Sequence, residues 1–345
     1  MKILITGGAG FIGSHAAEFY AKNPENEVIV FDNLSRAKLL NKDDKNAKYN
    51  WNFLKQFKNI TLLKADTRNF NKINKASKGA DIIIHLAGQT AVTTSVTDPR
   101  TDFEVNAQGT FNVLDAARLN DVKNVIYSST NKVFGHNVNH VGIVEEEKRY
   151  NFEEKFANGI PTEFSIDLCE HTPYGCSKLT ADTYMQDYHY QYGIKTGIFR
   201  MSCIYGTRQF GVEDQGWVAW FTIATLKGLP LTIYGNGKQV RDTLYVTDLI
   251  NAYDSFLKSN LKHGVYSMGG GKDNTISLLE LLDMLEELIG KRSKIRFSEW
   301  RPSDQKVFIA DITKAKKELN WKPEINPKIG LKMLSNWVKE NQNLF

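Results

Sequence analysis

The chain has 345 residues and carries 44 Lys and Arg against 39 Asp and Glu, a formal net charge of +5. Hydrophobic residues at 41% are enough for a globular core and exclude intrinsic disorder, and so mild a charge excess does not mark a nucleic-acid binder. No apolar run approaches the ~18 residues of a membrane helix, no signal peptide precedes the first strand, and Cys169, Cys176 and Cys203 are too few for a disulfide framework or a zinc site. The expectation is a cytoplasmic protein of enzyme size with no metal.

In chain order, short β-branched runs at 3–6, 27–31, 60–64, 81–86 and 123–127 alternate with helical stretches at 11–22 and about 102–120. Apolar runs spaced by helices predict a parallel sheet covered on both faces. The Lys- and Asn-rich stretch 41–50 reads as solvated surface, and the polar stretch 136–168 as an insertion or long loop. A helix follows from Tyr174 to Gly193, then a strand at 195–199. The fold predicted is α/β, a doubly wound parallel sheet (a Rossmann fold).

Beyond residue 200 glycine loops separate shorter elements, and Ser277 with Glu280 forms an S-x-x-E helix start that Gly290 ends. The predicted division is a dinucleotide-binding domain at 1–200 and a smaller mixed α/β substrate lobe at 201–345, interleaved with the first.

Thr6-Gly7-Gly8-Ala9-Gly10-Phe11-Ile12-Gly13 joins the first strand to the first helix. Gly7, Gly10 and Gly13 permit a tight turn and close approach of a pyrophosphate to the helix N-terminus. Asp32 ends the second strand, where a carboxylate accepts from ribose hydroxyls and repels a 2′-phosphate. NAD is therefore expected rather than NADP, although Arg36 is the kind of residue that accommodates the extra phosphate.

Two places match Tyr-x-x-x-Lys. Tyr234-Gly235-Asn236-Gly237-Lys238 is a turn by composition. Tyr174 and Lys178 instead open a helical run and share one face. The ammonium is expected to lower the phenol's pKa toward that of a general base. Val125-Ile126-Tyr127-Ser128-Ser129-Thr130 leaves small hydroxyls at the carboxyl end of a strand, where Thr130 can bond a substrate hydroxyl and the tyrosine oxygen.

With these motifs, Asp66, His85-Leu86-Ala87-Gly88, Asn106, Val240-Arg241-Asp242 and Arg301-Pro302-Ser303-Asp304, the chain resembles the extended short-chain dehydrogenase/reductase family over essentially its whole length, specifically the nucleotide-sugar epimerases and dehydratases. The resemblance implies Thr130, Tyr174 and Lys178 as the catalytic set. It places Asp66 by the adenine and Leu86, Ala87 and Gly88 beside the cofactor. It extends the NAD-binding set to Phe11, Ile12, Asn33, Ser35, Arg36, Thr67, Gln89, Asn106, Ser128 and Met201.

Arg241 and Arg301 are implied to grip the substrate diphosphate. Thr93, Arg208, Gln209, Gln215, Tyr234 and Asp304 complete the implied substrate set. Tyr234 reads either as a platform for the base or as a simple loop aromatic, and Trp217 and Trp220 as pocket or core. Longer strings, among them Pro173-Tyr174-Gly175-Cys176-Ser177-Lys178 and Asp214-Gln215-Gly216-Trp217-Val218, are similar to the epimerases that act at C2 of CDP-sugars.

The 4,6-dehydratases of the family place Asp-Glu after the catalytic Thr. This chain has Asn131-Lys132, neither of them the carboxylic acid that elimination needs, so dehydration is disfavoured. The resemblance therefore implies an NAD-dependent isomerase acting on a nucleotide-diphosphate sugar, in lipopolysaccharide O-antigen biosynthesis, as a homodimer or homotetramer. The alternatives are a UDP-hexose 4-epimerase and, in another class, a non-catalytic NAD-binding regulator. His136 and His140 have metal-like spacing without a carboxylate or thiol set.

Overall fold

The structure, a computed structural model, describes residues 1–39, 48–301 and 304–345. Most of the stretch 41–50, and Pro302 and Ser303 of the Arg301–Asp304 motif, lie outside the described residues. Two compact units make up the chain: Met1–Val133 with Thr172–Arg200 and Ile250–Val265, and Phe134–His171 with Met201–Leu249 and Tyr266–Phe345.

The first unit begins β1 (Lys2–Thr6), α1 (Phe11–Ala21), β2 (Glu27–Asp32), α2 (Arg36–Leu39), α3 (Tyr49–Leu54), β3 (Ile60–Lys64), α4 (Phe70–Ala76) and β4 (Ile82–His85). It continues with α5 (Val92–Thr97), α6 (Pro99–Phe103), a π-helical turn (Glu104–Gln108), α7 (Gly109–Leu119) and β5 (Asn124–Thr130). Next come β6 (Ile143–Glu145) and β7 (Tyr150–Phe152), then α8 (Pro173–Tyr192), β8 (Lys195–Met201) and β9 (Cys203–Tyr205). The rest is α9 (Trp217–Lys227), β10 (Leu231–Tyr234), β11 (Val240–Tyr245), α10 (Val246–Lys258), β12 (His263–Met268), β13 (Thr275–Ser277), α11 (Leu278–Ile289), β14 (Ile295–Ser298), β15 (Val307–Phe308), α12 (Thr313–Leu319) and α13 (Pro327–Glu340).

The predicted doubly wound sheet is present, seven strands in the order β12-β8-β5-β4-β1-β2-β3. Parallel register puts Ile3 beside both Val28 and Ile82, and Ile84 beside Ile126. These side chains are buried because helices cover the sheet, so the strands read as continuous apolar runs without alternation. The carboxyl ends of β1, β2, β4 and β5, with the loops that follow them, carry the glycine turn, Asp32, Leu86–Gln89 and Thr130.

Two local expectations are corrected. The helix expected over about 102–120 is present as a continuous helical run, but it widens at the π-helical turn, whose Asn106 carbonyl accepts from Thr110 Oγ1 at 2.5 Å. Asn50, expected in solvent, is buried and its Nδ2 donates to the Gly10 carbonyl at 3.3 Å.

In the second unit β11 runs antiparallel to β13 and parallel to β15 and β9. The stretch expected as a polar loop contains the antiparallel β6–β7 hairpin, in which Ile143 faces Phe152 and the Tyr150 and Phe152 side chains are buried. The Ser277–Glu280 capping box and the Gly290 stop form as predicted. Among the described residues no helix is long and apolar enough to cross a membrane.

Candidate functional site

The glycine turn is shaped by contacts that only hydrogen can make. A Cβ on Gly13 would lie 2.1 Å from the Gly7 carbonyl oxygen, and one on Gly7 (φ +66°) 2.6 Å from the Ala87 nitrogen. The turn therefore nests against the Leu86–Gly88 loop. Gly10 caps α1 with no side chain, which leaves the first-turn N–H groups of an eleven-residue helix aimed at whatever anion lies beyond them. That donor set fits a dinucleotide pyrophosphate, with Phe11 and Ile12 half-buried in the first helical turn.

Asp32 is held by its own backbone neighbours. Oδ2 accepts from Ala9 N at 3.0 Å and Oδ1 from Leu34 N at 2.8 Å. Burial raises its pKa, and the backbone hydrogen bonds pull against that rise. Asn33 Nδ2 donates to Asp66 Oδ2 at 2.8 Å, while Asn33 Oδ1 accepts from Ser35 N at 2.9 Å. Burial raises the Asp66 pKa, but Arg68, hydrogen-bonded to both carboxylate oxygens, and Asn33 outweigh it and bring the carboxyl down to about 2. Arg36 is shifted by burial to about 10. Thr67 is buried, and its carbonyl accepts from Asn112 Nδ2 at 2.9 Å.

The Leu86–Gln89 loop is fixed from beneath. Leu86 N donates to the Thr6 carbonyl at 3.1 Å. Gln89 N donates to Asn106 Oδ1 at 2.8 Å, and Asn106 Nδ2 returns a bond to the Gln89 carbonyl at 3.2 Å. His85 bridges Thr6 Oγ1 (2.6 Å) and Thr110 Oγ1 (2.9 Å), and full burial with the nearby Lys178 charge lowers its pKa to about 3. The ring is neutral at pH 7 and serves as a strut.

Tyr174 and Lys178 lie one turn apart on α8, which Thr172 caps from its side chain to Gly175 N. Thr130, at the end of β5, lies near enough to the Tyr174 phenol to pull its pKa down, so the three expected side chains are brought into one neighbourhood. Lys178, only 6% exposed, donates to the Ser128 carbonyl at 2.6 Å and sits 4.3 Å over the Tyr127 ring. Ser128 Oγ pairs with Tyr253 Oη at 2.6 Å.

The electrostatics differ from expectation. Burial raises the Tyr174 phenol to about 12, Thr130 opposing, and it lowers Lys178 to about 7, opposed by Asp182 and Asp102. Desolvation acts on both groups more strongly than either acts on the other. The expected lowering of the phenol's pKa by Lys178 is thus not the dominant effect.

Sequence reading did not single out the buried partners of this set. Asp182, four residues after Lys178, accepts from Ser129 Oγ at 2.6 Å and from Arg200 Nε and Nη2, each at 3.0 Å. Ser95 Oγ accepts from Tyr174 N at 3.1 Å. The i,i+4 spacing from Lys178 was the one available signal for Asp182. Thr93 is exposed on α5, and Met201 is half-buried at the end of β8.

In the second unit the two expected diphosphate ligands already have carboxylate partners. Arg241 Nη2 pairs with Asp304 Oδ1 at 3.0 Å, and Arg301 Nη2 with Asp214 Oδ1 at 3.1 Å. Arg301 lies 3.9 Å over the Tyr234 ring, and the Tyr234 hydroxyl donates to Glu213 Oε1 at 3.1 Å. Tyr234 therefore supports an arginine, a role that neither reading of it anticipated. Arg301 and Asp304 line one cavity of about 440 Å³ with His136, Asn139, Trp300 and Lys306.

Arg208 is buried with φ +61°, a conformation uncommon for any residue other than glycine. Gln209 Nε2 donates to the Ile204 carbonyl at 3.3 Å, and Gln215 exchanges both backbone bonds with Val212. Trp217 and Trp220 are half-buried on α9. Among the described residues no group of three or more His, Cys, Asp or Glu is placed to hold a metal ion, and the His136 and His140 rings meet edge-on.

Comparison with known proteins adds an independent line. A profile of the NAD dependent epimerase/dehydratase family matches residues 3–269. A CDP-paratose 2-epimerase from Salmonella typhi is 42% identical over 348 residues, covering 98% of this chain and 99% of that protein. A putative UDP-glucose 4-epimerase from Methanocaldococcus jannaschii is 33% identical over 98% of this chain and 99% of its own. The crystal structure of a UDP-glucuronic acid 4-epimerase from Bacillus cereus with UDP-glucuronic acid and NAD superposes with a TM-score of 0.81 at 28% identity, covering 99% of this chain and 100% of that one.

Proposed function

The chain belongs to the NAD dependent epimerase/dehydratase family, and from that premise we propose that it inverts C2 of a CDP-linked sugar, converting CDP-paratose to CDP-tyvelose. The observation that carries this reading is 42% identity along essentially the full length of an enzyme of that activity. The absence of an Asp-Glu pair after Thr130 supports it against a dehydratase.

In this mechanism Tyr174 takes the proton from the sugar's C2 hydroxyl, and the Thr130 hydroxyl, beside the phenol, donates to that same oxygen. Bound NAD supplies the acceptor for the hydride leaving C2 and the donor that restores it. Lys178, whose ammonium burial lowers to about 7, lies beneath the site and is available to a ribose hydroxyl. Tyr174 then returns its proton to the reduced sugar, whose carbonyl has presented its other face. The glycine turn, Asp32, Asn33, Ser35, Arg36, Asp66, Thr67, Leu86–Gln89, Asn106, Ser128 and Met201 hold the cofactor. Arg241 and Arg301 hold the diphosphate, aided by Thr93, Arg208, Gln209, Gln215, Tyr234 and Asp304.

The exposed Phe103, Phe111, Leu119, Tyr184 and Tyr192 of α6, α7 and α8 support a homodimer or homotetramer. The setting proposed is cytoplasmic synthesis of activated sugars for the O-antigen.

Product NMR in heavy water, with CDP-paratose and UDP-glucose offered separately, tests the reading. Inversion at C2 without deuterium supports it. Inversion of UDP-glucose at C4 alone would assign the chain to the hexose 4-epimerases, and bound NAD with no turnover of either would make it a binder.

A further inference from the structure

One buried carboxylate beside the tyrosine–lysine pair has no part in the mechanism above. Asp102, on α6, is 1% exposed, and neither of its oxygens meets a cation within ion-pair distance. Ser177 Oγ donates to Oδ2 at 2.5 Å and Asn106 Nδ2 to Oδ1 at 3.1 Å. Asn106 Nδ2 also reaches Ser177 Oγ at 3.1 Å, which closes a three-membered ring of hydrogen bonds.

The ring joins three segments. Ser177 precedes Lys178 on α8, Asn106 sits in the π-helical turn, and Asn106 grips both the N–H and the carbonyl of Gln89. An ionised carboxylate only accepts, so it forces the NH₂ of Asn106 toward itself and leaves Oδ1 for the Gln89 N–H. A reversed amide would lose both of those bonds.

We propose that Asp102 is a positioning residue for the Tyr174–Lys178 pair: its carboxylate, held by Ser177 and Asn106, orients the Asn106 amide and places a fixed negative charge beside the pair. The inference rests on the roles proposed above for Tyr174 and Lys178. The titratable groups that feel this charge are Tyr174, Cys176 and Lys178 on α8 and Tyr127 on β5. Asp98, at the start of its own helix, and Lys178 act back on it. α5 offers none, and Glu104 of the π-helical turn pairs with Arg68.

The charge raises both Tyr174 and Lys178. Removing it without changing shape, by Asp102→Asn, is expected to move both limbs of the pH–rate profile to lower pH, by about one unit. A second readout needs no substrate. The ultraviolet difference titration of the Tyr174 phenolate, each protein minus its Tyr174→Phe counterpart, is expected to fall by the same amount in Asp102→Asn and in Asp102→Ser. Asp102→Glu, which keeps the charge, is expected to stay near wild type.

An unmoved or raised phenolate midpoint in the neutral variants overturns the proposal. So does a shift in Asp102→Glu as large as in Asp102→Asn, or failure of both neutral variants to fold, either of which would make Asp102 a purely structural residue. Full turnover by Tyr174→Phe would instead sink the function proposed above, while the titration would still decide the part played by Asp102.

Discussion

The ammonium of Lys178 donates to the main-chain carbonyl of Ser128 at 2.6 Å, so the carboxyl-end portion of β5 anchors the lysine of α8. Burial lowers this ammonium from its ordinary value to about 7. A lysine lowered in the folded state binds fewer protons there than in the unfolded chain between about pH 7 and 10.5, so stability rises with pH across that window. Lys178→Met removes the dependence. The melting temperature of the variant relative to wild type is expected to be higher at pH 6 than at pH 9, as calorimetry at the two pH values will show. An equal difference at both would mean that the charge is not paid for in folding.

Gly13→Ala is expected to abolish NAD retention, because its Cβ would lie 2.1 Å from the Gly7 carbonyl oxygen. The atoms met are all backbone of Gly7 and Gly8, which leaves little room to relax, and overpacking of this kind costs about 1–3 kcal/mol. Cofactor content of the purified variant, read by absorbance after denaturation, checks it. Wild-type NAD content would contradict the assignment of this turn to the pyrophosphate.

Asp32→Ala removes the acceptor for Ala9 N and Leu34 N as well as the proposed ribose ligand. NAD affinity is expected to fall by roughly tenfold or more, since a hydrogen bond to a charged group contributes about 1.5–3 kcal/mol. NADP affinity should fall less, because the carboxylate no longer repels a 2′-phosphate near Arg36. Calorimetric titration with both cofactors on stripped protein distinguishes this from a general loss of binding.

Arg301 stacks 3.9 Å over Tyr234 and faces Asp214. Arg301→Lys keeps the charge but loses the planar fork and the stacking. It is expected to raise the dissociation constant for CDP severalfold with NAD binding unchanged. Unaltered CDP affinity would remove Arg301 from the proposed diphosphate site.

Asp242 tests the second unit. Its Oδ2 accepts from Gly271 N and Ala310 N, each at 3.1 Å, and burial raises its pKa to about 6. A carboxyl raised on folding contributes stability that is present below its unfolded pKa and lost as pH rises through about 6. Asp242→Asn should therefore gain on wild type in thermal melts as pH increases from 5 to 7. A gap that stays constant would show that the carboxylate is not strained by burial.

The legible parts of this protein were those written in local spacing. Strand runs buried on both faces, the glycine turn ahead of α1, the Tyr174–Lys178 pair on one helical face and the Ser277–Glu280 capping box each depend on neighbours within a few residues. Thr130 could be matched to Tyr174 because both stand at carboxyl-end positions that a doubly wound sheet gathers together.

What the sequence alone did not disclose depends on contacts between distant segments. The π-helical widening at Glu104–Gln108 looks like ordinary helix in composition, and there Asn106 is held from 89, 102 and 177 together. The pairing of Arg241 with Asp304, the stacking of Arg301 on Tyr234, and the desolvation that sets Tyr174 and Lys178 likewise require the fold to bring partners together and exclude water. Composition and spacing determined the sheet and the glycine turn, because backbone periodicity and glycine sterics are local. Tertiary structure decided the charge states and the orientation of the site, because burial and long-range hydrogen bonds belong to no single segment.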